Sequence, residues 1–272
     1  LRILRKLEKK FSYCNGLNLT HRSLLSVVKY PIPRAAATAG KFIYDDDYYF
    51  YINLLAENQL DLNPGEKTID AQIMDLADEI AYAAHDLEDA LSRNMVTIED
   101  IEYEFQISDE FRGAREQFRE IVTQSRNTAF QANLLKTSEK FAIIFRKELT
   151  SNIVNRLVAD ISVVTNLNGF QELGFGKLNA LSEGLKKLLF KVIMRKRNIL
   201  TYEFRGNKII RDLYDFYNEG ENYKFLPPEL KFTLPQPDSC IFKISKKRAV
   251  VDYISGMMDT FAVKEWETHC LK

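Results

Sequence analysis

The sequence predicts an all-α protein with roughly ten helices, well above the usual helical share. Nearly every apolar pattern repeats with helical spacing. Only 11 Gly and 7 Pro occur in 272 residues, too few for a loop-rich or all-β fold. A hydrophobic content of 46% is ample for a real core. Length allows one large or two small domains.

Caps and breakers delimit these helices. Thr20 and Thr97 are N-cap residues, whereas Pro31, Pro33 and Pro64-Gly65 interrupt the chain. Ile3, Leu4, Leu7 and Phe11 form the apolar stripe of the first helix. The predicted helices cover residues 1–13, 20–28, 48–60, 68–91, a short stretch from Thr97, 109–137, 138–165, 177–197, 200–218 and 248–268.

One glycine-rich segment divides the chain. Asn166 to Gly176 holds three glycines and is a loop or a hairpin. We therefore expect two parts, residues 1–165 and residues 166–272.

Composition excludes several classes of function. The 38 basic and 38 acidic residues cancel, so no broad field favours nucleic acid or acidic membranes. No apolar run reaches about 18 residues, which predicts no membrane helix. Three widely spaced cysteines argue against a disulfide framework or a zinc site and fit a reducing cytoplasm. Phosphate-binding glycine loops and the common hydrolase and zinc motifs are absent.

The helix over residues 68–91 carries the most informative pattern. Asp78, Tyr82 and Asp86 follow one another at intervals of four, with Asp75 and His85 on the same side. Residues four apart on a helix are neighbours on its surface, so acid, phenol and acid could form the wall of a site for a metal and a hydroxylated ligand. Several negative charges on one face also predict that positive groups lie opposite them.

Less specific interpretations compete with this one. The acidic column could be a solvated face, although Ala77, Ala81 and Ala84 thin its flanks and let other segments approach. Consecutive helical residues point about 100° apart, so the His85-Asp86 pair alone makes no metal site, and His85 is expected to be a polar surface residue. The basic cluster in residues 186–197 favours a solvated helix C-terminus over a phosphate or nucleic-acid site.

Four segments together resemble the bacterial deoxyguanosine triphosphate triphosphohydrolases of the HD-domain superfamily. The strongest resemblance lies in Ala71–Ala90, which is similar to the last metal-binding helix of that family. The other matching segments follow the family's order: Gly16 to Thr20 with Lys29-Tyr30-Pro31, Gly206 to Tyr214 with Leu226-Pro227, and Arg248 to Ala262.

The resemblance implies an HD-type helical fold and hydrolysis of a dNTP, typically dGTP, to deoxynucleoside and tripolyphosphate. It implies a divalent metal, Mg²⁺ or Mn²⁺, a homo-oligomer, a possible single-stranded nucleic acid effector and no membrane partner. It assigns Asp78 to the metal, Tyr82 and Asp86 to the deoxyribose 3′-hydroxyl, and a phosphate-binding role to three residues: Lys29, Tyr30 and Lys41.

One departure from the family is large. Its His and His-Asp metal ligands precede the first matching segment, and this chain has no counterpart of them. We therefore expect either the C-terminal part of a longer enzyme, incomplete at the N-terminus and inactive alone, or a degenerate relative. The catalytic residues stay unidentified. The alternative from another class is a non-catalytic helical module for oligomerisation or regulation.

Overall fold

The computed structural model describes residues 1–8, 10–37, 40–134, 136–166 and 169–271. Helices dominate it, which confirms the all-α prediction. The bounds in the described part of the chain are α1 His21–Ser26, α2 Asp45–Glu57, α3 Ile69–Ser92, α4 Ile98–Ile107, α5 Arg115–Ala132, α6 Ser138–Ala159, β1 Ile161–Thr165, β2 Gln171–Phe175, α7 Asn179–Met194, α8 Arg197–Asn218, α9 Pro228–Lys231, α10 Phe242–Ser255 and α11 Asp259–His269.

The chain forms two compact units, Leu1–Ile193 and Met194–Lys272. The division falls later than the boundary that the glycine-rich segment suggested, because that segment is a hairpin within the first unit. β1 and β2 pair antiparallel, with Ile161 opposite Phe175.

The core of the first unit positions α3. This helix packs along α6, and α6 packs along α5. Ala83 and Ala84 are fully buried, and their small side chains allow a close approach to α3. Leu76, Ile80 and Leu87 join the same core. A helix was predicted over residues 138–165, but its last five residues form β1 instead. Four of these five residues have β-branched side chains, which favour a strand.

Local signals fix both ends of α3. The Thr68 hydroxyl accepts a hydrogen bond from the Ala71 N–H at 3.2 Å and caps the first turn. Asp70 adds a negative charge at the positive end of the helix dipole. The helix ends at Ser92, and Asn94 follows with a φ of 52°. In the first turns of α3, Ile69 and Ile73 are exposed.

The predicted helix over residues 1–13 is wrong. Among the described residues of this stretch, 1–8 and 10–13, the only helical element is a π-helical turn, Ile3–Leu7, because the chain folds back and the Leu17 N–H donates to the Leu4 carbonyl at 2.8 Å. Gly16 makes this return possible: its φ is +71°, and a Cβ there would lie 2.4 Å from the Leu4 oxygen. An ion pair of 2.7 Å between Arg5 and the buried Asp47 joins this turn to α2.

The second unit has its own core, which is built around Leu213, Tyr217 and Val250. The single helix predicted over residues 248–268 is two helices, because α10 ends at Ser255 and α11 begins at Asp259. Among the described residues, no helix is both long and apolar enough to cross a membrane.

Candidate active site

The acidic column of α3 lies on its exposed face. Asp78, Tyr82, His85 and Asp86 are all exposed, and the Tyr82 side chain retains 51% of its accessible surface. Partial burial raises the pKa of Asp86, and repulsion from Asp89 adds to the rise against the attraction of His85. The face can therefore offer two carboxylates and a phenol to a ligand.

Two lysines from outside the helix meet this face. The Lys29 ammonium donates a hydrogen bond to Asp78 Oδ2 at 3.2 Å and forms a closer ion pair with Asp75. Lys67 contacts the other oxygen of Asp75. The positive groups expected opposite the acids are therefore present.

The pKa values of this cluster show how strongly its members depend on each other. Burial disfavours the charge on Lys29, but hydrogen bonds to Asp75 and Asp78 outweigh burial and raise the pKa of Lys29. Burial likewise opposes ionisation of Asp75, but Lys29 and Lys67 lower the pKa of Asp75. Lys29 and Asp75 are consequently both charged at neutral pH.

The position of Lys29 follows from the docking of α1 against α3. Thr20 caps α1, and Arg22 on its first turn donates two hydrogen bonds of 2.8 Å to Asp70 of α3. Val28 is buried, and Lys29 follows it directly after α1 has ended. The segment that brings the Lys29 ammonium to α3 is therefore anchored by Arg22 and by the buried Val28, both of which precede Lys29.

The remaining predicted phosphate contacts form a pair of their own. Lys41 Nζ lies 3.0 Å from the Tyr30 hydroxyl and 4.8 Å from the centroid of the Tyr30 ring. Tyr30 is adjacent in sequence to Lys29. The structure thus joins Lys29 to Asp78, and Lys41 to Tyr30, by direct contacts.

His85 does not act together with Asp78. Its Nδ1 atom faces Glu88 at 3.8 Å, and Glu88 accepts a hydrogen bond of 2.9 Å from Thr150. Within the described ranges, no group of three His, Cys, Asp or Glu side chains is arranged to hold a metal ion. Asp78 can therefore be one ligand of a metal, but these residues supply no complete set.

Three lysines of the basic cluster in residues 186–197 pair with acids of the first unit. Lys186 pairs with Glu79 at 3.0 Å, and Lys187 pairs with Glu110 at 3.0 Å. Lys191 lies 3.3 Å from the buried Glu104. These acids balance the three cations, which are therefore less available to a polyanion than a solvated helix end would be.

Sequence reasoning missed Lys67 and left Asp75 without a role. Lys67 precedes the helix cap, and its side chain runs along two turns of α3 to reach Asp75. Gln72 fixes this region, because its amide donates to the Lys67 carbonyl at 3.0 Å and accepts from the Leu173 N–H at 2.9 Å. The hairpin that provides Leu173 is distant in sequence, so local periodicity contained no signal for this contact.

Comparison with known proteins agrees with the resemblance noted in the sequence. Residues 177–268 match the model of the phosphohydrolase-associated domain. The chain is 46% identical over 271 residues to deoxyguanosinetriphosphate triphosphohydrolase-like protein 2 of Vibrio cholerae. Deoxyguanosinetriphosphate triphosphohydrolase-like proteins of Rickettsia typhi and Rickettsia felis are 28% and 27% identical.

The alignments include almost all of this chain but only part of each relative. They cover 98% of the chain and 63% of the Vibrio cholerae protein, and 99% of the chain and 65% of the Rickettsia typhi protein. For the Rickettsia felis protein the shares are 99% and 66%. The chain is therefore similar over almost its whole length to the deoxyguanosinetriphosphate triphosphohydrolase-like proteins, and it spans less than two thirds of the length of these relatives.

Proposed function

We propose that the chain forms part of a metal-dependent dNTP triphosphohydrolase that converts dGTP to deoxyguanosine and tripolyphosphate. The names of its relatives support this class of substrate. The observation that carries the proposal is the contact of 3.2 Å between Lys29 and Asp78. It joins the segment expected to bind phosphate to the residue expected to bind the metal.

Asp78 is suited to be one ligand of a divalent cation. Its carboxylate is 48% exposed and lies at the edge of a cluster that lysines neutralise. Oxygen ligands favour hard cations, so Mg²⁺ or Mn²⁺ is the proposed metal. When bound, such an ion polarises a phosphoryl oxygen and activates a water molecule.

The other residues would bind the nucleotide around that point. Lys29 and Lys41 would offset the charge of the triphosphate, and the Tyr30 hydroxyl lies beside Lys41 as a further donor. One and two turns beyond Asp78, Tyr82 would support the deoxyribose and Asp86 would accept a hydrogen bond from its 3′-hydroxyl.

Residues 1–272 would not carry out this reaction alone. Asp78 is the proposed metal ligand, and the described residues contain no group of three His, Cys, Asp or Glu that could hold a metal ion. The proposal therefore assigns activity to the full-length protein, which we expect to be a cytoplasmic homo-oligomer. A role for single-stranded nucleic acid as effector gains no support from Lys186, Lys187 and Lys191, since each pairs with an acid.

The test uses full-length protein that has been stripped of metal with a chelator. We expect dGTP hydrolysis to return with Mg²⁺ or Mn²⁺ and to yield deoxyguanosine and tripolyphosphate by ion-exchange chromatography. Asp78→Ala should lower kcat/KM by more than about 100-fold. Glu79→Gln, which alters an acid of the same helix that pairs with Lys186 outside the site, is the matched control and should retain activity. Unchanged activity in Asp78→Ala, or release of dGMP and pyrophosphate, would contradict the proposal.

A further inference from the structure

We propose that Asp75 is a positioning residue that holds the Lys29 ammonium where it meets the polyphosphate of the substrate. The inference rests on the proposed function, because it takes Lys29 to be a phosphate ligand. Its basis is the arrangement of charges at Lys29, which contacts Asp75 and, at 3.2 Å, Asp78.

The two carboxylates that share Lys29 differ in their environment. The Asp75 side chain is only 14% exposed, whereas that of Asp78 is 48% exposed. Water screens the exposed contact more strongly, so Asp75 is the firmer of the two attachments. Lys29 can therefore leave Asp78 for another anion while Asp75 still holds it.

Asp75 is itself fixed in orientation. Its Oδ1 atom faces Lys29, and its Oδ2 atom accepts from Lys67. Through its two amide hydrogen bonds, Gln72 ties the backbone of Lys67 to Leu173 in β2. Each carboxylate oxygen of Asp75 contacts one lysine, so rotation of the carboxylate would break a contact. The oxygen that holds Lys29 therefore stays in place.

The charges of the cluster show why Asp75 is needed to hold Lys29. Lys29 and Lys67 balance the charges of Asp75 and Asp78. Lys29 would be free to contact phosphate whenever the Asp78 carboxylate takes another partner. Lysine has a flexible stem, and without Asp75 the released group would sample many positions in solvent. Asp75 restricts it to the neighbourhood of the metal ligand.

Binding of inorganic tripolyphosphate to the full-length protein at fixed Mg²⁺, measured by calorimetry, tests the inference. We expect Lys29→Met to weaken binding about 10-fold and Asp75→Asn about 5-fold. Because Asp75 acts through Lys29, the double variant should bind no more weakly than Lys29→Met alone. Asp75→Glu, which keeps the charge, should recover most of the affinity. Binding of deoxyguanosine, which has no phosphate, should be unchanged throughout, and Glu79→Gln should bind tripolyphosphate normally.

Additive losses in the double variant would overturn the positioning role, as would normal tripolyphosphate binding by Asp75→Asn. The positioning role would also be overturned if Asp75→Asn weakened deoxyguanosine binding as much as tripolyphosphate binding. Normal binding by Lys29→Met has a different meaning, since it removes Lys29 from the phosphate site of the proposed function and the positioning role with it. If Asp75→Asn does not fold, Lys67→Met replaces it and should weaken tripolyphosphate binding only while Lys29 is present.

Discussion

Adding one methyl group at Gly184 is a direct probe of the packing that supports the site helix. Gly184 lies within α7 and is buried against α4. A Cβ at this position would lie 2.5 Å from Cε1 of Phe105 and 3.3 Å from Cβ of Phe111. Phe105 is fully buried and cannot turn away into solvent. Gly184→Ala must therefore displace a packed aromatic ring.

Two opposing effects set the magnitude. Replacement of a helical glycine by alanine stabilises the helix by about 1 kcal/mol. Overpacking a rigid core costs about 1–3 kcal/mol, and a separation of 2.5 Å falls well inside van der Waals contact, which favours the upper part of that range. We expect a net loss of about 1–2 kcal/mol in the free energy of unfolding.

Gly206→Ala is the matched control for Gly184→Ala. Gly206 is also helical, in α8, and a Cβ there meets no atom of the described residues within 4 Å. This variant should gain up to about 1 kcal/mol. Urea unfolding followed by circular dichroism measures both variants. The reasoning is refuted if Gly184→Ala is as stable as the native chain, or if the two variants shift together.

Three further outcomes follow from the contacts described above. Ionised Asp75 stabilises the fold above its unfolded pKa of about 4, and this contribution is lost as pH falls through its lowered folded pKa. In Asp75→Asn, the free energy of unfolding should thus fall less steeply as the pH is lowered. An unchanged pH dependence would contradict the ion pairs. Gln72→Leu leaves the Leu173 N–H without its acceptor and should cost about 1–2 kcal/mol. Hydrogen exchange at Leu173 should accelerate, whereas equal protection would place its acceptor elsewhere. Residues 1–272 alone should release no tripolyphosphate from dGTP, and robust turnover would disprove the need for further metal ligands.

Local signals predicted α3 well. The predicted bounds, residues 68–91, differ by one residue at each end from the observed Ile69–Ser92. They are this close because the Thr68 cap, the early Asp70 and the long apolar period all indicate the same helix. The placement of Asp78, Tyr82 and Asp86 on one face of α3 followed from spacing alone. The resemblance selected Lys29, and the fold then placed it beside Asp78.

The errors occurred where distant residues determine the local structure. The apolar stripe of residues 1–13 looked helical, but the backbone near Gly16 pairs with Leu4 and ends the turn early. The end of α6 was predicted to run into β1 because a strand of five residues needs its partner β2 to be recognised. Lys67 was missed for the same reason, since its partner lies two helical turns away and its orientation depends on the hairpin.

A crystal structure of the full-length protein with Mn²⁺ and a non-hydrolysable dGTP analogue tests the central claim most directly. We expect Asp78 to bind the metal, Asp86 to accept a hydrogen bond from the 3′-hydroxyl, and Lys29 to contact a phosphate oxygen while it remains beside Asp75. A nucleotide bound away from this face of α3, or a metal that Asp78 does not contact, would contradict it.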